Sequence, residues 1–211
     1  MTRLVEDNVQ HNSQISAGDF QQILPLVQQG TQDWQRIGDT IRPTSLVVRG
    51  MLAPDATYAN TNQVLMVRVV IISAKATKNL TATTSLWTNY ANTLLRPNLD
   101  SGTQVVPFVG NQPELLYPIN SDEFIVHMDK VFKIAPASSD NSKEENPAST
   151  RMWKKTIKLP KKLTYDVGID SPNNFCPFMG IGYVYADGTG PDVLTTKIVS
   201  TVTARLAYKD T

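Results

Sequence analysis

Histidine and cysteine, the side chains whose ordinary pKa values best suit acid–base or nucleophilic chemistry near neutral pH, are few in this chain and stand far apart: His11, His127 and Cys176 in 211 residues. No serine, cysteine or histidine falls in a G-x-S-x-G, H-E-x-x-H, phosphate-loop or dinucleotide pattern, so no enzyme class and no cofactor is indicated. His11 lies in a polar stretch and His127 on the polar side of an alternating segment, and both read as ordinary surface residues. Cys176, in an apolar run, reads as a small core residue. The loop Asp187-Gly188-Thr189-Gly190-Pro191-Asp192 offers two carboxylates at a glycine turn. Asp187 and Asp192 make a weak calcium candidate, which a plain turn explains equally well.

Cationic side chains are the other chemical resource, and they fall into two groups. Arg36, Arg42 and Arg49 crowd the approach to a strand-like segment. Lys154, Lys155, Lys158, Lys161 and Lys162 form the densest basic stretch, beside Trp153. A base stacked on Trp153 is one reading of that stretch. Against it, Trp153 falls on the apolar face of its segment, and lysines at a sheet edge also deter unwanted pairing.

The whole-chain balance is nearly neutral, 20 Lys and Arg against 19 Asp and Glu, so any basic function must be local. Hydrophobic residues make up 41%, enough for the core of one domain. A single cysteine leaves no internal disulfide framework and no cysteine-rich zinc site. No run approaches the roughly 18 apolar residues of a membrane span, and no apolar signal core opens the chain. A soluble chain made in a reducing compartment is expected, with no membrane partner, and Asn79-Leu80-Thr81 is not expected to be used as a glycosylation site.

The elements that must position these residues read mainly as strands. Residues 1–35 are polar, with Val9, Ile15, Phe20, Ile23, Leu24, Leu26 and Val27 at no sustained period, and read as an arm. Its cluster from Phe20 to Val27 is expected to pack elsewhere in an assembly. The domain proper then spans 36–211. Its first strand should begin after Pro43, as Ser45 to Leu52. Val64 to Ala74 is a strand buried on both faces, with Arg68 the one charge it must satisfy. A single helix, capped by Thr83 or Thr84, carries the stripe Leu86, Trp87, Tyr90, Ala91, Leu94 and Leu95 and stops before Pro97. Residues 98–121 read as irregular loop with a short strand near Val105 to Val109.

Glu123 to Ile134 alternates, with Phe124, Val126, Met128, Phe132 and Ile134 on one face, and Lys130 on that apolar side predicts a bulge. Residues 137–150 read as a solvated loop. Met152 to Leu159, Phe175 to Tyr185 and Thr196 to Lys209 complete the set. Seven or eight strands with hardly any helix predict an all-β antiparallel sandwich.

Three motifs in order carry a resemblance. They are Gln29-Gly30, Gln35-Arg36-Ile37-Gly38, Ile41, Pro43, Leu46 and Arg49-Gly50; then Glu123-Phe124-Ile125-Val126-His127-Met128-Asp129-Lys130; then Ala204-Arg205-Leu206-Ala207-Tyr208-Lys209-Asp210. Together they resemble the capsid proteins of circular Rep-encoding single-stranded DNA (CRESS-DNA) viruses over residues 29–210. The resemblance implies an eight-stranded jelly roll that assembles with copies of itself into a small icosahedral (T=1-like) shell around circular single-stranded DNA, and so a place in the virion. It also brings the closing strand beside the first, so that Arg36, Arg42, Arg49, Arg205 and Lys209 stand together. They would either form a lumen-facing wall against phosphate or pair with Asp39 or a neighbour's carboxylates.

One departure bears on the cargo. The family's arm is rich in arginine and lysine, whereas residues 1–30 carry Arg3 against Glu6, Asp7 and Asp19, a net of −2. Weak DNA binding is therefore expected of this sequence, with packaging left to the wall unless a basic arm has been removed. Two rival readings are an RNA-packaging capsid of the same shape and a jelly-roll carbohydrate-binding module.

Overall fold

The computed structural model describes all residues except 33, 56–62, 98–103, 136–149, 193 and 211. The expected loops at 53–63, 98–121 and 137–150 therefore lie wholly or partly outside the described residues. The rest is all-β. Nine antiparallel strands are present among the described residues: β1 Thr2–His11, β2 Gln21–Gln22, β3 Thr40–Pro54, β4 Leu65–Ala74, β5 Phe124–Ile134, β6 Arg151–Ile157, β7 Leu163–Thr164, β8 Pro177–Tyr185 and β9 Ile198–Asp210. The first sheet runs β1-β9-β3-β6, with the two-residue β7 on the start of β3; the second runs β2-β8-β4-β5. Without β7, the eight remaining strands follow the chain order of a jelly roll, two interlocked Greek keys. The count is nine rather than eight because β7 is an addition to that plan.

The first 35 residues are not an arm. β1 pairs with β9 from Thr2↔Leu206 to His11↔Ile198, and β2 pairs with β8. The strand expected to come first is thus the third. β1 is hard to read because it is a charged edge strand, interrupted by a register shift between Glu6 and Val9 where Asn8 takes φ 54°. Between β1 and β3, Ile15, Phe20, Ile23, Leu24 and Val27 are all buried, and in this chain's own core. They keep no period because each docks separately. Ile15 lies on β8 over Gly180 and Gly182 and Phe20 over Gly180, where a Cβ would stand 2.7 to 3.0 Å from them.

β3 begins before Pro43, and a register shift between Pro43 and Ser45 accommodates the missing N–H. The long apolar run of β4 is buried on both faces, as expected. Val67, Val69 and Ile71 join the core between the sheets, while Val70 and Ile72 join a second core roofed by α1 (Leu80–Ser85) and α2 (Trp87–Asn92). The expected helix is therefore two short ones, broken at Leu86. Its cap is Asn79, whose Oδ1 accepts from Ala82 N at 2.7 Å, and Thr83 is buried inside it. The expected strand at 105–109 reduces to a single bridge, Leu95↔Val106.

In β5 the bulge falls at His127, between the pairs Ile71↔Met128 and Ile72↔Val126, rather than at Lys130. That extra residue inverts the facing of the strand. Met128 and Ile134 enter the inter-sheet core, but Phe124 enters the second core against Tyr90 and Phe178. No described helix is long and apolar enough to cross a membrane.

Candidate nucleic-acid interface

Each sheet has two faces, and three of the four are covered. The inner faces meet in the main core, and the helices and residues 15–20 cover the outside of the second sheet. Among the described residues, nothing covers the outside of the first sheet. Strand alternation decides what stands there. On β3, Leu46, Val48 and Leu52 point inward and Arg42 and Arg49 outward; on β9, Val202, Ala204 and Leu206 point inward and Arg205 and Lys209 outward.

Register then brings cations together. Arg3 pairs with Arg205, Arg49 with Lys154 and Arg42 with Lys209. These are three directly opposed like-charge pairs on one face, and each destabilises an empty sheet by about a few tenths of a kcal/mol. None of the six forms an ion pair among the described residues. Asp7, at the register shift in the middle of β1, accepts from the Thr201 hydroxyl instead. Edge protection accounts for Arg3 on β1 and Lys154 on β6. It does not account for Arg42, Arg49, Arg205 and Lys209, which stand on the inner strands β3 and β9.

A groove of about 440 Å³ runs along this face past Arg3, Arg49, Lys154 and Arg205, with Ser45, Val47, Thr203 and Ala207 between them. No aromatic ring lines it. Such a surface can hold a phosphate backbone by charge, and it has no platform on which to stack bases.

Arg36 does not belong to this wall. Its side chain is fully buried, with Nη1 donating to Gly38 O (2.7 Å) and Asp39 Oδ1 (3.2 Å), Nη2 to Ile169 O (3.0 Å) and Nε to Val27 O (3.3 Å). The guanidinium also lies over the Tyr165 ring, 4.6 Å from its centroid. It braces Val27 and Gly38 against Ile169, and Asp39 is its one carboxylate partner among the described residues. Conversely, the wall includes Arg3, from the supposed arm, and Lys154, from the second basic group. Alternation places Lys154 outward in the sequence, whereas nothing there marks Arg3, and the neighbours of both depend on pairings too distant to read.

The remaining candidates resolve as structural groups. His11 is buried, its Nε2 2.8 Å from Ser200 Oγ, and burial lowers its pKa to about 4. His127 is half-buried at the bulge, 2.8 Å from Ser73 Oγ, and burial, with Lys155 nearby, lowers its pKa too. Neither is a plain surface histidine. Cys176 is buried, and its thiol is pushed up to about 11. Trp153 packs in the main core with its indole over Gly50, where a Cβ would meet the ring at 2.3 Å.

Arg68 is satisfied by Asp129, at 2.6 and 2.9 Å, and by the carbonyls of Glu114 and Tyr117. Asp187 accepts from Thr189 N and from Gln63 Nε2, and Asp192 from Leu194 N, Thr195 and the Tyr185 hydroxyl, so each carboxylate is engaged by protein donors. Burial works to raise Asp192, but those hydrogen bonds outweigh it and hold the carboxyl below its usual range. No group of three or more metal-ligating side chains occurs among the described residues.

Comparison with protein-family models and with curated proteins found no match.

Proposed function

We propose that this chain is a capsid subunit that assembles with copies of itself into a small closed shell, with the outer face of the first sheet turned toward packaged single-stranded DNA. The observation that carries this reading is the set of three like-charge pairs on the one uncovered sheet face. An anionic polymer laid across them converts mutual repulsion into attraction and releases counterions. The jelly-roll order, an architecture used by viral shells, and the three motifs resembling CRESS-DNA virus capsid proteins support the same reading. Phosphate contacts without base or sugar readout serve DNA and RNA alike, so the assignment of DNA rests on the resemblance.

The deciding experiment is expression of the chain followed by electron microscopy, light scattering and sequencing of nuclease-protected nucleic acid. Closed particles are expected, with protected single-stranded DNA when they are formed in the native host. A protein that stays monomeric at all near-neutral salt concentrations, or particles that protect RNA alone, would overturn the corresponding part of the reading.

A further inference from the structure

One edge of the sandwich is open. β5 ends the second sheet and β6 ends the first, each paired on one side alone, and the space between them reaches solvent as a groove of about 450 Å³. Ile125 and Val126 line it while remaining 50% and 44% exposed, an unusual state for two consecutive branched apolar residues. Phe175 lines it too, edge-on to the His127 ring at 6.0 Å. Lys155 and Lys158 are its charged lining residues, and neither forms an ion pair among the described residues.

A turn on the same chain has the complementary chemistry. In Asp166-Val167-Gly168-Ile169-Asp170, Val167 is 83% and Ile169 49% exposed, flanked by two carboxylates that form no ion pair among the described residues. The turn is held in shape. Ile169 N donates to Asp166 O (3.1 Å), Arg36 Nη2 to Ile169 O (3.0 Å) and Val27 N to Asp170 O (2.9 Å), and Gly168 supplies the φ of +73° that the bend requires. A preformed apolar turn forfeits little conformational freedom on docking.

We propose that the groove between β5 and β6 of one copy receives the Asp166–Asp170 turn of a second copy. Val167 and Ile169 cover Ile125, Val126 and Phe175, and Asp166 and Asp170 meet Lys155 and Lys158. Because groove and turn are different parts of the surface, the contact is heterologous: every copy gives a turn and accepts one, and repetition closes a ring or extends a chain. The proposal deepens the shell reading by naming one of its contacts, and it rests on that reading for assembly itself.

The test mixes the Ile125→Cys protein with the Val167→Cys protein under mild oxidation, with the buried native thiol as the background control. A disulfide-linked dimer is expected in the mixture and in neither protein alone. Independently, Lys158→Glu should lower the assembled fraction at least tenfold while leaving the melting temperature of the subunit unchanged, and adding Asp170→Lys to the same chain should restore it. Particles that form without the cross-link and tolerate Lys158→Glu overturn this contact and leave the shell reading standing. A wild-type chain that never assembles overturns both.

Discussion

Arg49 and Lys154 face each other directly across the β3–β6 pairing, two cations on the exposed side of a sheet with no carboxylate paired to either among the described residues. The same relationship recurs at Arg3–Arg205 and Arg42–Lys209. A surface optimised for the stability of a lone subunit would alternate charges at such positions. This one instead opposes cation to cation at three positions, on strands whose other face is committed to the core. The polyanion contact proposed above would relieve that repulsion.

Replacing wall cations should therefore separate binding from stability. Arg49→Gln and Lys154→Gln should each make the slope of log K against log salt for single-stranded DNA shallower by about 0.7, measured by fluorescence anisotropy. The same variants should keep or gain stability, by up to about 0.5 kcal/mol at low salt, in urea titrations. A variant that loses binding in proportion to lost stability would instead assign these residues a structural role.

Acid should weaken the attachment of β1 through His11. Its folded pKa, about 4, lies below the unfolded value of 6.5, so the unfolded chain holds more protons between those limits. Stability is then complete above pH 6.5 and falls as the pH drops toward 4, by about 3 kcal/mol in the limit. His127, lowered in the same direction, adds to the trend. Urea midpoints measured from pH 7 to 4 should show a shallower decline for His11→Gln, which keeps a hydrogen-bonding group opposite Ser200.

Arg36 should be intolerant of change although it lies outside the wall. Truncation to Ala removes this donor from the buried carbonyl of Val27 and from the part-buried carbonyls of Gly38 and Ile169, at about 1–3 kcal/mol for each one that water cannot reach. Lysine lacks the planar fork and should recover little of the loss. Chemical denaturation checks the magnitude. Faster hydrogen exchange at Ile169 and Val27 would locate the damage in the two braced loops.

Cys176 should resist alkylation in the folded chain. With the thiol at about 11, the thiolate is about a thousandth of the population at pH 8, and burial restricts access further. Modification by iodoacetamide should follow unfolding, so mass spectrometry across a denaturant series should trace the same midpoint as circular dichroism.

What the sequence discloses depends on whether a residue's environment is set by its own strand or by a distant one. β4 declares itself, because a run from Val67 to Ile72 can only be buried on both sides. Outward placement of Arg49 and Arg205 follows equally from local alternation. Their cation partners do not, since the register of β3 with β6 and of β1 with β9 is fixed by loops and turns far from each pair. Arg36 illustrates the converse. Nothing beside it announces burial, because the carbonyl that receives Nη2 belongs to Ile169, a residue across the domain. β1 is concealed by its own charges, and the bulge at His127 shifts β5 out of the alternation that its apolar residues suggest.

The pairing of Thr2 with Leu206 has a consequence for biosynthesis. A sheet whose outermost ribbon rests on a strand from the far end of the domain cannot be completed until that strand has been synthesised. Until then β1 has no partner on which to fold, and the edge of the first sheet is the last part of the sandwich to form.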